Sequence, residues 1–503
     1  MHAVEINAML RNVFKVDDNP YTNLQMKQSK MAAVPLTRTC SWDSSFVQVD
    51  LENPSEEDEP VTTCSEDPQF SDKPITLETM GKETFQRLFD SDGRLVDEHL
   101  FRKTVFRGGI CEEVRKDAWK FLFGLYPCSS TARERETLAL ENHCRYHALK
   151  TIWKKNLSSP QYSYCVDKPD YLTDDSQEQD EVFTNEIESL NSITVGGTRK
   201  LSEEVKQQKC FADIQGQVYA GRQSIDMNSG CCAIRIIDKD VPRTDRDHPY
   251  FLGDKNPHLS VLRDILITFA VFHPDVGYAQ GMNDIVSRFL IVFNSEVDAY
   301  WCFIKYMENI HTDFVESGML RKIKLLRQLL QEVDRPLYRH LNRCCTEDLM
   351  FAHRWLMLTF KREFPFEDGL KLFEIISSHY LELTSVEAER ERDMERAREF
   401  ERIEGGRILE TEISSANNDF TFELFVCAAI LIEERKLILK CDDSASVFTT
   451  VNGLMCTMDL ATIINRAENV FLSYCRKSAQ DCFALVELPQ STVPYVAQNH
   501  GYL

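Results

Sequence analysis

Apolar residues recur every three or four positions along most of the chain, a spacing that predicts α-helices. The clearest stripe lies in residues 257–272, and its members share one helical face: Leu259, Leu262, Leu266, Phe269 and Ala270. Asn256 followed by Pro257 is typical of a helix start, because asparagine caps the first turn and proline has no amide hydrogen to lose there. No stretch alternates with a period of two for long enough to predict a sheet. The pattern therefore predicts an all-α protein.

The same periodicity predicts further helices on both sides of this stripe. One follows the Gly108-Gly109 turn, and another begins near Gly281. Later helices are predicted at 298–306, 320–333, 349–364, 370–380, 420–439 and 460–474. Two regions interrupt the pattern: 156–230, which contains a strongly acidic run, and about 384–416, which is rich in glutamate and arginine. The first is expected to be a mobile acidic insertion, and the second a solvated helix with many ion pairs.

Composition limits the class of function. Residues 51–72 hold eight acids, three prolines and no lysine or arginine, so residues 1–75 are predicted to be a disordered acidic segment. The formal net charge of -22 disfavours nucleic acid as a partner, because phosphate binding needs a basic face. The longest apolar run, 424–432, is too short to cross a bilayer, and no signal sequence precedes it. An intracellular, soluble protein is expected.

Motifs for common catalytic sites do not occur in this sequence. It contains no phosphate-binding P-loop, no H-E-x-x-H, no G-x-S-x-G and no G-x-G-x-x-G, and its cysteines lack the spacing of zinc ligands. Two polar residues in loops at the ends of the 257–272 helix remain. Arg243 follows a proline, and Gln280 lies in a Tyr-Ala-Gln-Gly turn.

Arg243 and Gln280 are open to two interpretations. Arginine carries a planar fork of donors that suits charge on phosphoryl oxygens, and glutamine can orient a water molecule. GTP hydrolysis needs these two contributions in addition to bound nucleotide and magnesium. Alternatively, Arg243 is a surface residue paired with Asp240 or Asp245, and Gln280 belongs to a capped turn. Residue chemistry alone leaves both interpretations open.

Two motifs in this region resemble those of a known family. Ile237, Asp240 and Arg243 form I-x-x-D-x-x-R, and Tyr278 and Gln280 form Y-x-Q. In this order they resemble the signature of TBC-domain GTPase-activating proteins for Rab GTPases. Supporting stretches are R-G-G-I at 107–110 with a tryptophan at 119, V-G-Y-A-Q-G-M-N-D at 276–284 and A-Y-W-C-F at 299–303. Within this family, the sequence resembles the subgroup that contains members fifteen to seventeen of the human TBC-domain series.

The resemblance implies a two-lobed, all-helical TBC domain over residues 104–475, containing the two insertions. Residues 76–103 would lead into it, and 476–503 would form a short tail. Arg243 matches the arginine finger, and Gln280 matches the glutamine finger that replaces the Rab's own glutamine at the attacking water. Asp240 would hold the arginine loop, and Tyr278 is the aromatic residue of the glutamine motif.

Further supporting positions follow from the same resemblance. Ile237 and Gly281 belong to the two finger motifs, while Arg107 and Trp119 match positions that shape the groove. Two departures from the family pattern are Cys111 and Arg288, which stand where proline is usual and should affect packing or Rab preference before chemistry.

The implied activity is acceleration of GTP hydrolysis by a Rab in its GTP form, and hence regulation of vesicle traffic. The protein would have no cofactor and no nucleotide site of its own, and would act on Mg-GTP bound to the Rab. It would be cytoplasmic and peripheral on endomembranes, reaching them only through the Rab. A catalytically weak Rab-binding scaffold and a plain helical interaction module are the alternatives.

Overall fold

The computed structural model describes residues 77–165, 203–346, 348–402 and 419–484. Over these ranges the chain is helical, and the only β pairing there consists of two isolated bridges, Met80 to Ile110 and Phe89 to Leu95. The all-α prediction is confirmed. The predicted disordered segment 1–75 lies outside the described residues.

Eighteen α-helices occur within the described ranges. In chain order they are α1 (Lys82–Gln86), α2 (Glu98–Gly108), α3 (Glu112–Leu122), α4 (Ala132–Leu157), α5 (Glu203–Gly221), α6 (Met227–Asp240), α7 (Pro257–Phe272), α8 (Met282–Phe293), α9 (Glu296–Ile310), α10 (Glu316–Val333), α11 (Arg335–Arg343), α12 (Ala352–Met357), α13 (Phe366–Ser377), α14 (Val386–Arg402), α15 (Phe422–Glu433), α16 (Arg435–Ile438), α17 (Ser444–Asn452) and α18 (Leu460–Ala484). Three short 3₁₀ turns lie at Pro160–Cys165, Val241–Arg243 and His311–Phe314.

Helix α7 lies in the interior and has the bounds that the sequence predicts. The Asn256 side chain accepts a hydrogen bond from the amide of His258 at 2.8 Å, as expected of the residue that caps the helix. Every residue from Leu262 to Phe272 is buried, and the helix packs against α6, α8 and α9. Since α7 is buried over most of its length, it holds the loops at its two ends at a fixed separation.

The predicted helix over 349–364 is wrong. Only α12 is helical there, and residues 358–364 run as turns in which Thr359 and Phe360 adopt left-handed φ angles of 45° and 57°. Arg288 on α8 stabilises these turns, since its guanidinium donates to the carbonyls of Leu358 at 2.6 Å and Thr359 at 3.2 Å. The Leu358 carbonyl also accepts from the Lys361 amide at 3.1 Å, three residues on, which is the bond of a turn and not of an α-helix.

Part of the region 156–230, which is expected to be a mobile acidic insertion, is helical. Helix α5 lies inside it and packs along α4, while 166–202 lies outside the described residues. The contact is made by small residues every fourth position, Ala212, Gly216 and Ala220, all buried. A Cβ on Gly216 would lie 2.7 Å from the Cys144 carbonyl carbon. A search for large apolar residues overlooks such a helix.

Helix α14, in the second interrupted region, carries the predicted ion pairs, for example Arg396 with Glu389 and Asp393, each at 2.7 Å. It is not simply solvated, however, because one face packs against α18. On that face Glu395 is buried and accepts a hydrogen bond from Gln480 at 2.6 Å.

Candidate functional site

The arginine loop, defined here as residues 241–256, begins where α6 ends. Proline at position 242 has no amide hydrogen and cannot continue the α-helix, and the chain tightens into the 3₁₀ turn Val241–Arg243. Ile237, one turn earlier, is fully buried and fixes the end of α6 against the core. The Arg243 side chain, by contrast, is 59% exposed. The loop thus presents its arginine to solvent from a rigid base.

Asp240, the last residue of α6, joins the two loops. Its carboxylate is 3% exposed, and both oxygens are occupied by donors. Oδ1 accepts from a terminal nitrogen of Arg243 at 2.5 Å, and Oδ2 accepts from the Tyr278 hydroxyl at 2.7 Å. A buried carboxylate is stable only with such partners. Asp240 therefore orients the arginine and fixes the glutamine motif with one group.

The glutamine loop, residues 273–281, is shaped by backbone that only glycine adopts readily. Gly277 has φ 65° and Gly281 has φ 107°, and Gly281 is the cap of α8. A Cβ at Gly281 would also lie 3.0 Å from Leu358 Cδ2. Between these glycines Gln280 is exposed, and its side chain has no hydrogen bond to any part of the chain that the structure describes. The turn therefore presents Gln280 outward without any bond from the glutamine side chain itself to the described residues.

A second connection between the loops is made by Asn283 and Thr244, two buried residues that sequence reasoning missed. The Asn283 amide nitrogen donates to Thr244 Oγ1 at 2.9 Å, and the Thr244 hydroxyl donates to the Asp240 carbonyl at 2.8 Å. Asn283 Oδ1 accepts from the Gly281 amide at 3.0 Å and lies 3.2 Å from the Tyr278 hydroxyl oxygen, whose proton goes to the nearer Asp240. Their signal in the sequence is a polar residue close to each finger, Thr244 directly after Arg243 and Asn283 three residues after Gln280.

Tyr278 keeps its proton at physiological pH. Burial, and then the charge of Asp240, raise the pKa of its hydroxyl well above the ordinary value. The hydroxyl is therefore always a donor to the carboxylate. The loops are held by a neutral phenol, an amide and a hydroxyl, and none of these groups titrates near neutrality.

Arg107 and Trp119 lie in other networks. Arg107 pairs with Glu468 on α18. Trp119 is fully buried, donates to Glu374 at 2.7 Å, and packs edge-on against Phe289 of α8 with ring centroids 5.6 Å apart. Within the described chain no hydrogen bond or ion pair links either residue to the two loops. Trp119 supports α8, whose first turn follows Gln280, through packing, and the groove role of both residues remains a prediction.

The described residues contain no cluster of three or more histidine, cysteine or acidic side chains arranged to hold a metal ion. Among them, no helix has the length and apolar character needed to cross a membrane. The arrangement at the site can orient two side chains, an arginine fork and a glutamine amide, toward a bound partner.

Comparison with known proteins agrees with this geometry. The mouse protein "TBC1 domain family member 17" is 32% identical over 297 residues, which cover 59% of this chain and 36% of that protein. "GTPase-activating protein GYP7" of Candida glabrata is 28% identical over 369 residues, covering 72% of this chain and 40% of that protein. The chain thus spans less than half the length of these relatives.

A solved structure shares the fold. The Ypt/Rab-GAP domain of Gyp1p has a TM-score of 0.50 at 18% identity, covering 78% of this chain and 97% of that one. The match to member 17 agrees with the subgroup that the sequence resembles. Residues 112–386, which include both loops, match the family described as Rab-GTPase-TBC domain, and the chain belongs to that family.

Proposed function

We propose that this protein accelerates GTP hydrolysis by a Rab-family GTPase, lending Arg243 and Gln280 to the active site of the GTPase. The observation that carries the proposal is the buried Asp240 carboxylate, which contacts Arg243 and the Tyr278 hydroxyl at once. One group thereby couples the orientation of an exposed arginine to the loop of an exposed glutamine. A surface arginine and a capped turn with no joint role would not require a shared buried anchor.

Arg243 is the electrostatic part of the mechanism. Only one terminal nitrogen of its guanidinium is bonded to Asp240, and 59% of the side chain is exposed. The remaining N–H groups are free to donate to phosphoryl oxygens, where negative charge builds up in the transition state. Such an arginine, supplied in trans, is worth roughly 10³–10⁵ in rate.

Gln280 is the water-orienting part. Its amide offers one acceptor and two donors, so it can accept from the attacking water while donating to a phosphoryl oxygen. The bond from the Gly281 amide to Asn283, together with the bond from Tyr278 to Asp240, fixes the turn from which it projects. A preoriented group at the nucleophile lowers the barrier because little reorganisation remains to be done.

The nucleotide and its Mg²⁺ would come with the GTPase as substrate, and the partner would be the GTP form of a Rab. The relative from Candida glabrata is named a GTPase-activating protein, which supports the same assignment. Under this proposal the protein acts in the cytoplasm, reaches endomembranes through the Rab, and influences vesicle traffic by ending the GTP state.

The test is single-turnover hydrolysis by a panel of GTP-loaded Rabs, with wild type and with a variant carrying both Arg243→Ala and Gln280→Ala. Wild type should accelerate at least one Rab, and the double variant should lose the acceleration. Failure to accelerate any Rab would overturn the activator proposal. Binding of wild type to Rabs holding a non-hydrolysable GTP analogue or GDP identifies the alternatives. Preference for the GTP form without acceleration indicates a scaffold, and equal binding indicates a plain interaction module.

A further inference from the structure

A lysine from the second half of the chain is buried between the arginine loop and α8, the helix that follows the glutamine loop; the two loops together are called the finger loops. Lys361 lies in the 358–364 segment, and 7% of its side chain is exposed. Its ammonium group donates to Asp245 at 2.5 Å, to the Ser287 hydroxyl at 2.7 Å and to Asp284 at 3.1 Å. These three acceptors use all three of its N–H groups.

One carboxylate acceptor lies in the arginine loop, and the other lies in the helix that follows the glutamine loop. Asp245 lies two residues after Arg243 and has a left-handed φ of 45°. Asp284 lies four residues after Gln280, in the first turn of α8, and it is also bonded to Arg362 at 2.9 Å. The Lys361 ammonium therefore joins a carboxylate of the arginine loop to one that follows the glutamine loop.

The segment that carries Lys361 is itself held in place. Arg288, 1% exposed, bonds the carbonyls of Leu358 and Thr359 and lies over the ring of Phe373 with its guanidinium carbon 4.6 Å from the centroid. Burial lowers the pKa of Arg288 to about 10, so the group stays charged at neutral pH. Because Arg288 belongs to α8, the 358–364 segment is fixed to the helix that follows Gln280.

The electrostatics give Lys361 a specific role. Two carboxylates face one ammonium here, and burial strengthens both the attraction to Lys361 and the repulsion that would appear without it. Although burial opposes ionisation of Asp284, the charges of Lys361 and Arg362 lower the pKa of its carboxyl, so it is ionised at neutral pH. Arg362 contacts only Asp284 of this pair, whereas Lys361 also reaches Asp245.

We propose that Lys361 is a positioning residue for the arginine finger: by neutralising Asp245 and Asp284 together, it holds the arginine loop at the spacing from Gln280 that catalysis needs. Its effect on rate rests on the proposed function. Its effect on the loop does not, since the contacts exist in the free protein.

Three single variants of the full chain test the inference. Lys361→Met removes the ammonium and keeps much of the side-chain volume. Asp245→Asn removes only the charge on the arginine-loop side, and asparagine tolerates the left-handed φ at that position. Lys322→Met is the matched control, since the Lys322 ammonium also lies between two carboxylates, Asp313 at 2.5 Å and Glu423 at 2.6 Å, in contacts that include neither finger loop.

Two measurements are made on each variant. Amide hydrogen exchange in the free protein reports on opening of residues 241–252. Single-turnover hydrolysis, measured over a range of activator concentrations against a Rab that responds to wild type, separates the maximal rate from the half-saturating concentration. The thermal midpoint records any general loss of stability.

Lys361→Met should speed exchange in 241–252 and lower the maximal rate on the order of 10²-fold, because a misplacement of about 1 Å has that effect. The half-saturating concentration should stay nearly unchanged. Asp245→Asn should act in the same direction but less, since a neutral acceptor forms a bond roughly half as strong as a carboxylate does. Lys322→Met should lower the thermal midpoint and leave both loop exchange and maximal rate at wild-type values.

The inference is overturned if Lys361→Met and Asp245→Asn leave exchange in 241–252 unchanged. It is equally overturned if Lys322→Met reproduces their effects, because the cause would then be general destabilisation. Should Lys361→Met fail to fold, Asp245→Asn decides alone. Should wild type accelerate no Rab, the proposed function fails, and the exchange measurement still decides whether Lys361 holds the loop.

Discussion

The two finger loops present their side chains in different ways. The arginine of the first loop is bonded through its own guanidinium to a buried acid, Asp240. The glutamine of the second has no bond from its side chain within the described chain, and its direction follows from a turn set by glycines at 277 and 281. One loop therefore orients its finger by a side-chain contact, and the other by backbone conformation.

The difference follows from the two side chains. Arginine is long and loses much rotamer freedom when it is fixed, so a tether that restricts it in the free protein reduces the entropy lost on binding. Glutamine is shorter, and the conformation of the backbone turn fixes most of the position of its side chain. Substitutions at Arg243 and Tyr278 should therefore act through side-chain bonds, whereas substitutions at Gly281 should act through conformation.

Loss of the arginine fork should have the largest effect. Arg243→Ala is expected to lower the single-turnover rate by roughly 10³–10⁵-fold, and Arg243→Lys should lose most of it too, because lysine offers a point charge without the planar fork. The control is Arg133→Ala, which removes an exposed arginine at the start of α4. A near-normal rate with lysine would mean that charge alone suffices at this position.

Loss of the glutamine amide should be the second largest effect. Gln280→Ala is expected to lower the single-turnover rate on the order of 10²–10³-fold, the range for removing one preoriented hydrogen-bonding group at a transition state. Gln280→Glu, which keeps the shape but adds negative charge, should be no better. Both variants should unfold at the wild-type urea concentration, because the side chain is exposed. A loss of stability in Gln280→Ala would contradict the view that the Gln280 side chain makes no contact within the protein.

Much of this comparison could be predicted from sequence, because it depends on short-range signals. The bounds of α7 followed from a cap, a proline and a stripe of apolar residues. Arg243 and Gln280 stood out as polar residues beside motifs that resemble a family. The direct contact between Asp240 and Tyr278 was not predicted as such, although both residues were placed in supporting roles.

The remaining connections could not be predicted, since they depend on the approach of distant segments. Lys361 is 116 residues from Asp245 along the chain. The segment that carries it was predicted as helix, because residues 349–364 have a helical pattern and nothing local reveals that Arg288 bonds the carbonyls of Leu358 and Thr359. Helix α5 could not be predicted either, because the residues that it buries against α4 are small and do not form a stripe of large apolar side chains.

The bond between Asp240 and the glutamine loop can be removed at Tyr278. Tyr278→Phe removes the donor to Asp240 Oδ2 and leaves a buried carboxylate oxygen without a partner, which should lower the free energy of unfolding by about 2–3 kcal/mol. Urea unfolding followed by tryptophan fluorescence measures it. Tyr338→Phe is the control, because its hydroxyl accepts from Arg327, which is partly exposed and can bond water instead. Equal decreases in the free energy of unfolding in the two variants would show that the buried Asp240 carboxylate is not stabilised by the Tyr278 hydroxyl in particular.

The backbone of the glutamine loop offers the mildest test. Gly281→Ala forces an alanine into φ 107° and places its Cβ 3.0 Å from Leu358, so the free energy of unfolding should fall by about 1–2 kcal/mol. Gly221→Ala, at the end of α5, is the matched control, since a Cβ there meets nothing within 4 Å. If the backbone aims Gln280, Gly281→Ala should also slow hydrolysis in the single-turnover assay, although every side chain of the site is intact. A normal hydrolysis rate in a destabilised Gly281→Ala would mean that the turn can relax without moving the glutamine. The backbone conformation at Gly281 would then not be what orients Gln280.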